Sequence, residues 1–329
     1  MIEIRNFTAS DHEFNELARI DNLVNHDSIS HPDEDKHDWK IRDKSIIRDR
    51  IMLYNDNKLV GVVYYSQGRV PNERICFYTL NLDPNYNNKG YRTLLFNKLL
   101  EKIKVFNANK LFTGIYDHPN YHNHKNFLVN NGFKLTQTNR EYSCDIKNIN
   151  TDKYKSLIQT LESEGIQFYD SKEEMLNFPN HYKKLEELNW TYTKDFPIPD
   201  GIEHTRLPFK RFMEIQKDFE KNYYGVEIVA VRDDKYIGST SLEVFPKSEP
   251  HKAYTEGLGV LKEYRRKGIA TALKIKAIQS LLQKGIKEIR TDNEENNPMY
   301  KINIALGFSP VPSSLEYTKE IQWFGFKKQ

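Results

Sequence analysis

A basic, glycine-containing turn in the second half of the chain carries the clearest chemical signal. An apolar strand pattern ends at Val260, and the run Arg265-Arg266-Lys267-Gly268-Ile269-Ala270 then leads into a helical pattern. Gly268 and Ala270 place almost no side chain at the helix start, so backbone N–H groups there can approach a ligand closely. The helix dipole favours an anion at that end, and the three basic residues add positive charge. The turn is therefore predicted to cradle a pyrophosphate.

An asparagine-rich block follows this turn after about one helix and one strand. It contains Asn293, Asn296 and Asn303 and closes on Leu306-Gly307-Phe308. A basic turn alone is most often a solvated helix cap. The two blocks together, in this order and separation, resemble the acetyl-CoA loop and the fourth helix of the GNAT superfamily of N-acetyltransferases. The resemblance implies an α/β (α+β) fold with a mixed sheet and an acetyl-CoA site in the second half.

The resemblance also implies a bulge in the strand that ends at Val260, whose backbone would pair with the pantetheine arm. Gly257 and Gly259 suit a strand that bends and allows close approach. A backbone N–H at Gly259 or Val260 is the expected oxyanion donor, and for Asn293 and Asn296 helix capping is the alternative role. The residues expected to bind acetyl-CoA are Leu258, Gly259, Val260, Arg265, Arg266, Lys267, Gly268, Ile269, Ala270, Thr271, Asn293, Asn296 and Asn303.

Two residues are predicted to take part in proton transfer. Glu256 lies four residues before Val260 on the same strand, and alternation points it into the cleft as a general base. The alternative is an exposed strand residue without a role, because a bulge reverses the face. The family often has a tyrosine where this chain has Asn303. Tyr300 is the predicted substitute as general acid, although a thiol with a pKa of about 8.5 leaves without one.

The acceptor wall is expected between the first two helices of the second half. Trp190, Tyr192 and the link Asp195-Phe-Pro-Ile-Pro-Asp200 occupy that part of the sequence. Asp195 and Asp200 suit a cationic acceptor if they face the cleft. Ordinary packing around a proline-rich turn is the alternative.

The two halves of the chain repeat one plan, which predicts two tandem GNAT domains, as in mycothiol synthase. The predicted domains are 1–149, a degenerate GNAT-like domain, and 150–329, the acetyl-CoA-binding domain. In the first half the turn reads Asn87-Asn88-Lys89-Gly90-Tyr91-Arg92, and Arg92 replaces the small residue. Tyr121, His124 and Leu128 stand where Asn296, Met299 and Asn303 stand in the second half. The first domain is therefore predicted to be structural or to line the substrate cleft, with a second, weaker acetyl-CoA site as the alternative.

Hydrophobic periodicity predicts the elements of each half. In the first half they are strands at 2–5, 50–54, 59–65, 75–82 and 111–116, helices at 14–24, 95–106 and 124–129, and a solvated polar loop at 26–39 that contains three histidines. In the second half they are strands at 166–169, 226–231, 236–244, 288–291 and one ending at Val260, with helices at 174–188, 209–219 and from Arg266.

Composition excludes several other classes of protein. A chain of 329 residues suits two domains, and a net charge of +3 without a concentrated basic face argues against nucleic-acid binding. No GxGxxG after a first strand and no GxxxxGK[ST] is present. Neither a membrane span nor a signal-peptide core is found, so a cytoplasmic location is expected. The oligomeric state, monomer or homodimer, stays open. Cys76 and Cys144 are predicted to be isolated thiols, and no metal site is expected, since the histidines at 118, 122 and 124 have no ligand partners.

The resemblance implies an N-acetyltransferase that moves the acetyl group of acetyl-CoA to a primary amine by direct attack. The acceptor is expected to be a small-molecule amine or a peptide N-terminus. Two alternatives stay open. One is a tandem-GNAT aminoacyl transferase that uses charged tRNA, against which the intact cradle argues. The other is a non-catalytic acyl-CoA sensor.

Overall fold

The computed structural model describes residues 1–25, 27–68, 73–87, 89–199, 202–222 and 224–323. The chain forms two compact units: unit 1 comprises Met1–Asn139 and the C-terminal segment from Pro312, and unit 2 comprises Arg140–Val311. These units differ from the predicted ranges 1–149 and 150–329 at both ends of the second range. The reason is strand pairing, since the last strand of the chain joins the sheet of unit 1, which no local pattern in the sequence reveals.

The described residues of the first part of the chain form six strands and four α-helices. In chain order they are β1 (Ile2–Asn6), α1 (Asp11–Val24), α2 (Pro32–Ile41), β2 (Arg48–Asn55), β3 (Lys58–Gln67), β4 (Ile75–Leu82), α3 (Tyr91–Ile103), β5 (Lys110–Tyr116), α4 (His122–Asn130) and β6 (Lys134–Asp145).

The rest of the chain repeats this plan with additions. Its elements are α5 (Lys155–Ser163), β7 (Ile166–Asp170), α6 (Ser171–Glu174), α7 (His181–Thr193), α8 (Phe209–Asn222), β8 (Tyr224–Arg232), β9 (Lys235–Val244), β10 (Lys252–Val260), α9 (Ile269–Gln283), β11 (Glu288–Glu294), α10 (Tyr300–Ala305) and β12 (Ser309–Glu320).

Each unit contains a mixed sheet, which confirms the predicted fold class. The strand order is β1-β2-β3-β4-β5-β12 in unit 1 and β6-β11-β10-β9-β8-β7 in unit 2. The parallel pairs are β4 with β5 and β10 with β11. The hairpin between β8 and β9 turns at Asp233-Asp234, both in the left-handed region, as a tight two-residue turn requires.

The helix that follows each central strand packs against the sheet of its own unit. In unit 2 the predicted spacing of four along α9 is confirmed, because Ile269, Leu273, Ala277 and Leu281 are all buried. α9 contacts β8, β9 and β10. Truncating a fully buried leucine such as Leu273 to alanine typically costs about 2–5 kcal/mol of stability. The burial of α9 therefore fixes the position of its N-terminus.

Several predicted elements are wrong in detail. The run predicted as a loop at 26–39 contains α2. This helix begins with Pro32 and is capped by the side chain of His31. Because none of its residues is buried, its sequence shows no apolar periodicity. His26 lies outside the described residues. The helix predicted at 174–188 is split into α6 and α7, because Pro179 and the left-handed Asn180 interrupt it. α5 is not predicted by the sequence pattern. It buries Ile158 and Leu161.

None of the helices that the structure describes is long and apolar enough to cross a membrane.

Cys76 and Cys144 are buried and free, as predicted. Burial raises the pKa of both thiols, so neither is activated as a nucleophile.

Candidate active site

A bulge interrupts β10 at Glu256. In the antiparallel ladder with β9, Thr255 pairs with Leu242 and Gly257 with Ser241, which leaves Glu256 as the extra residue. On its other side β10 is paired with β11 only from Lys252 to Tyr254. Beyond that point the two parallel strands separate, and the backbone of 256–260 forms one wall of a slot. The bulge implied by the family resemblance is present.

Tyr192 of α7 lies against the same stretch of β10. A Cβ atom at Gly259 would overlap the ring of Tyr192, and one at Gly257 would lie 3.7 Å from its hydroxyl. That hydroxyl donates to Asn189 Oδ1 (2.7 Å) and lies 3.1 Å from Ser239 Oγ. Gly259 is therefore required by the packing of Tyr192. Trp190 is half-buried, with Lys194 5.1 Å above its ring. Tyr192 thus forms a wall beside the slot.

Two polar groups in this region are buried without partners. Among the described residues, nothing hydrogen-bonds to Thr255 Oγ1 or to Asn303 Oδ1. Asn303 is fully buried, and its Nδ2 donates to Asn293 Oδ1 at 2.8 Å. Because buried polar atoms are rarely left unpaired in folded proteins, these oxygens suit a slot for an amide-bearing chain such as pantetheine. Asn296 stands apart from them: it is exposed and binds Glu294.

The N-terminus of α9 is open to an anion. Gly268 is its N-cap residue with φ +85°, and no side chain of the described residues caps this helix. The first hydrogen bond of the helix runs from the N–H of Ala272 to the carbonyl oxygen of Gly268. The N–H groups of Ile269, Ala270 and Thr271 therefore have no carbonyl partner within the helix. Arg266 and Lys267 are exposed beside them. These residues fit the predicted pyrophosphate cradle.

Arg265 is engaged differently from its neighbours. Its Nε donates to Val260 O (2.8 Å), and its Nη2 contacts Asp195 Oδ2 at 2.6 Å. Lys262 Nζ lies 3.0 Å from the other oxygen of Asp195. Hydrogen bonds from these two cations lower the pKa of Asp195. Asp195 therefore clamps the turn and is unsuited to accept a proton near neutral pH. Asp200 lies outside the described residues.

Three titratable groups line the place where β10 and β11 separate. Glu256 is exposed, yet desolvation by neighbouring protein raises the pKa of its carboxyl, and the charge of Asp292 raises it further. Lys274 of α9 is only 7% exposed, and burial lowers its pKa to about 8 while Asp292 offsets part of that change. Its Nζ lies 5.4 Å from the centre of the Phe308 ring.

Lys274 and Asp292 are absent from the sequence-based set of site residues. The sequence does not single out Lys274, because Lys276 interrupts the same mainly apolar stretch from Ile269 to Ile278. The predicted acid Tyr300 is the first residue of α10 and packs, partly buried, against the core of unit 2. Of the predicted site residues, Asn293 and Asn303 are therefore hydrogen-bonded to each other, whereas Asn296 and Arg265 make other contacts.

The chain belongs to the acetyltransferase (GNAT) family, whose model matches residues 13–133 and 185–304. The general activity of this family is acetyl-CoA-dependent N-acyl transfer. One match falls in each half of the chain, and the predicted family and tandem arrangement are confirmed. No curated protein matches the sequence.

Solved structures show the same fold. The chain is similar to a tandem GNAT protein from the clavulanic acid biosynthesis pathway, with a TM-score of 0.77, 16% identity and coverage of 97% of this chain and 98% of that one. It is similar to a GCN5-related N-acetyltransferase from Sphaerobacter thermophilus (TM-score 0.67, 14% identity, 97% and 95% covered). It is also similar to a glucosamine N-acetyltransferase region of a fungal multi-domain GH3 β-N-acetylglucosaminidase (TM-score 0.72, 16% identity, 96% and 38% covered).

Proposed function

We propose that unit 2 transfers the acetyl group of acetyl-CoA directly to a primary amine, without a covalent enzyme intermediate. The observation that carries this proposal is the bulge at Glu256 in a strand that separates from its parallel neighbour. A slot of this kind offers backbone groups to an extended chain of amides, and a carboxylate stands at its rim. The acceptor is a small-molecule amine or a peptide N-terminus.

The CoA pyrophosphate is assigned to the start of α9. The N–H groups of Ile269, Ala270 and Thr271 point to an anion at this helix end, and exposed Arg266 and Lys267 add charge. Arg265 supports the turn through Asp195. The pantetheine arm is assigned to the β10 backbone, near Thr255 Oγ1 and Asn303 Oδ1, which are buried and have no hydrogen-bond partner among the described residues.

Glu256 is the proposed general base. An ammonium with a pKa of about 10 must lose a proton before its nitrogen can attack. The pKa of Glu256 is raised by desolvation and by Asp292, which brings its basicity closer to neutral pH and improves proton transfer. As the nitrogen bonds to the carbonyl carbon, the N–H of Gly259 or Val260 donates to the developing oxyanion.

Lys274 is the proposed partner of the leaving thiolate. When the carbon–sulfur bond breaks, the sulfur takes the electron pair and then a proton. A lysine whose pKa is about 8 is mostly charged at neutral pH and still releases its proton readily. Tyr300 competes for this role, but its position on α10 packs against the core. Burial of Lys274 beside Asp292 is the observation that favours it.

Release of CoA thiol from acetyl-CoA, measured with a panel of amines, tests the proposal. The panel contains polyamines, aminoglycosides, amino acids and peptides with a free N-terminus, each at several pH values. Amine-dependent thiol release with formation of the acetylated amine is the expected result. Tight acetyl-CoA binding without turnover of any amine would instead support an acyl-CoA sensor.

A further inference from the structure

A chain of polar contacts joins the end of β10 to the end of α7 in unit 2. Asp195 lies two residues beyond α7, and its backbone N–H donates to Tyr192 O at 3.0 Å. Its Oδ2 accepts a hydrogen bond from Arg265 Nη2 at 2.6 Å, and Arg265 Nε donates to Val260 O at 2.8 Å. Its Oδ1 lies 3.0 Å from Lys262 Nζ. One carboxylate therefore holds both ends of the turn that runs from Lys262 to Arg265.

This chain ends at a backbone group that faces the slot. The N–H of Leu261 donates to Ile237 O on β9 at 2.9 Å. Because the polar backbone groups of successive strand residues point to opposite sides, Val260 directs its N–H and its carbonyl away from β9. That is the side from which β11 has separated. Of the two proposed oxyanion donors, Gly259 and Val260, this orientation favours Val260, whose carbonyl accepts from Arg265.

The other end of the chain is attached to the aromatic wall beside the slot. Tyr192 packs over Gly259, where a Cβ atom would overlap its ring. Phe196 follows Asp195 directly, and its ring centre lies 5.5 Å from that of Tyr192. The carbonyl oxygen of Phe196 is in turn 2.9 Å from His204 Nε2. The contacts of Asp195 therefore connect this wall to the backbone at the end of β10.

The ion pairs of this chain contribute little to the stability of the fold. The side chains of Asp195, Arg265 and Lys262 are 28%, 38% and 73% exposed, and ion pairs that water reaches are weak on average. A small misplacement of the groups around reacting atoms, in contrast, can lower a rate by about a hundredfold. A network that is weak as a structural support can therefore still have a large effect on catalysis.

We propose that Asp195 is a positioning residue, which aligns the Val260 peptide and the Tyr192 wall with each other so that acceptor and thioester meet in the slot. The inference rests on the function proposed above. Asp195 acts through Arg265 rather than by contact with a substrate. Arg265 is thereby assigned to the Val260 carbonyl, and the pyrophosphate is left to the start of α9 and its other basic residues.

Steady-state kinetics and calorimetry with CoA test the proposal on the full chain, with the amine of the panel that is acetylated fastest. Asp195→Asn keeps the shape of the side chain and removes its charge. It should lower kcat by about ten- to a hundredfold and raise the KM of the amine, while the Kd of CoA stays within about twofold of wild type. Glu263→Gln, which removes a carboxylate of the same turn that is paired with Lys235, is the matched control and should change none of these values.

The pH profile separates positioning from proton transfer. Hydrogen bonds from Arg265 and Lys262 lower the pKa of Asp195, so its carboxylate stays charged throughout the range from about pH 6 to 10. The deficit of Asp195→Asn should therefore be the same across that range. A deficit that shrinks as pH rises would make Asp195 a general base and overturn the proposal.

A double-mutant cycle tests whether Asp195 acts through Arg265. Arg265→Met removes the donor to Val260 and should give a similar loss of kcat. The double variant should be no slower than the slower single variant, because both changes break one chain of contacts. Losses that multiply would show two independent roles and contradict the proposal.

Hydrogen–deuterium exchange gives a readout that does not require turnover. Asp195→Asn should speed the exchange of backbone amides in both 189–199 and 256–265, and Glu263→Gln in neither. If the wild-type chain acetylates no amine, the proposed function fails, and the exchange data still decide whether Asp195 links the two segments. Unchanged exchange in Asp195→Asn would overturn the proposal, as would an unchanged kcat or a loss of CoA affinity equal to the loss of kcat/KM.

Discussion

The two units share a backbone frame around the slot. Gly90 and Gly268 precede α3 and α9 with φ of +75° and +85°, and no side chain of the described residues caps either helix. In both units the parallel strands are paired over three residues and then separate. The frame therefore depends on a glycine and on strand pairing, which both halves of the sequence retain.

The side chains around the two slots differ. Counted back from the shared Lys-Gly pair, Tyr78 occupies the position of Glu256, and counted forward, Arg92 occupies that of Ala270. Unit 1 thus has a buried phenol where unit 2 has a carboxylate, and a guanidinium where unit 2 has the methyl group of Ala270. We therefore predict that these substitutions on a shared frame allow CoA to bind in unit 2 and exclude it from unit 1.

Two clusters of polar side chains in unit 1 are paired internally. Tyr64 OH and Asn81 Nδ2 donate to the two oxygens of Asp21 at 2.8 and 2.7 Å, and burial raises the pKa of Asp21 to about 6. Arg50 pairs with Asp35 among four aromatic rings. Because these polar side chains are bonded to each other, we infer that they have a structural role.

Replacing the proposed base should have the largest effect. Glu256→Gln keeps the side-chain volume but removes basicity, so kcat/KM should fall by about 10²–10⁴ at neutral pH. The deficit should shrink as pH rises, because more of the amine is already neutral, while acetyl-CoA affinity stays near wild type. Steady-state kinetics between pH 6 and about 10 measure this. Tyr78→Phe is the matched control in unit 1. Full activity of Glu256→Gln would show that Glu256 is not the general base.

A negative charge placed in the predicted pyrophosphate cradle should have the second-largest effect, a loss of CoA affinity. Gly268→Asp sets a carboxylate against the CoA pyrophosphate, and like charges in contact cost several kcal/mol, or about a hundredfold in affinity. A side chain there also meets Leu157 at 2.6 Å and must adopt a positive φ, so some loss of stability is expected. Gly90→Asp introduces the same change and the same φ in unit 1. Calorimetry with CoA should show weakened binding for the first variant only, and equal loss for both would contradict the comparison.

Lys274→Met should have a smaller effect. If the ammonium supports the leaving thiolate, kcat should drop roughly tenfold below pH 8. In the wild type that contribution should fade as pH rises through about 8, because the pKa of Lys274 is lowered to that value. The variant should lack this decline. Lys276→Met, which removes a lysine paired with Glu162 on the same helix, is the control. A decline above pH 8 that persists in Lys274→Met would assign it to another group.

Local patterns in the sequence predict the fold and the cradle because each depends on neighbouring residues. The glycine turn at Gly268, the apolar spacing of α9 and the glycines of β10 are all read from one short stretch. Local sequence patterns do not predict features that depend on residues far apart in the chain. The pairing of Arg265 with Asp195 joins positions seventy residues apart, and β12 pairs with β5 across most of the chain. The position of Lys274 near the ring of Phe308 likewise joins residues that are far apart in the sequence.

Binding of CoA to the full chain tests most directly whether the two slots differ as described. Calorimetry should give one CoA per chain, and crystals soaked with CoA should show it at Gly268 in unit 2, with none at Gly90 in unit 1. The stoichiometry should remain one in Gly90→Asp. Two CoA molecules per chain, or equal density in both units, would contradict the account.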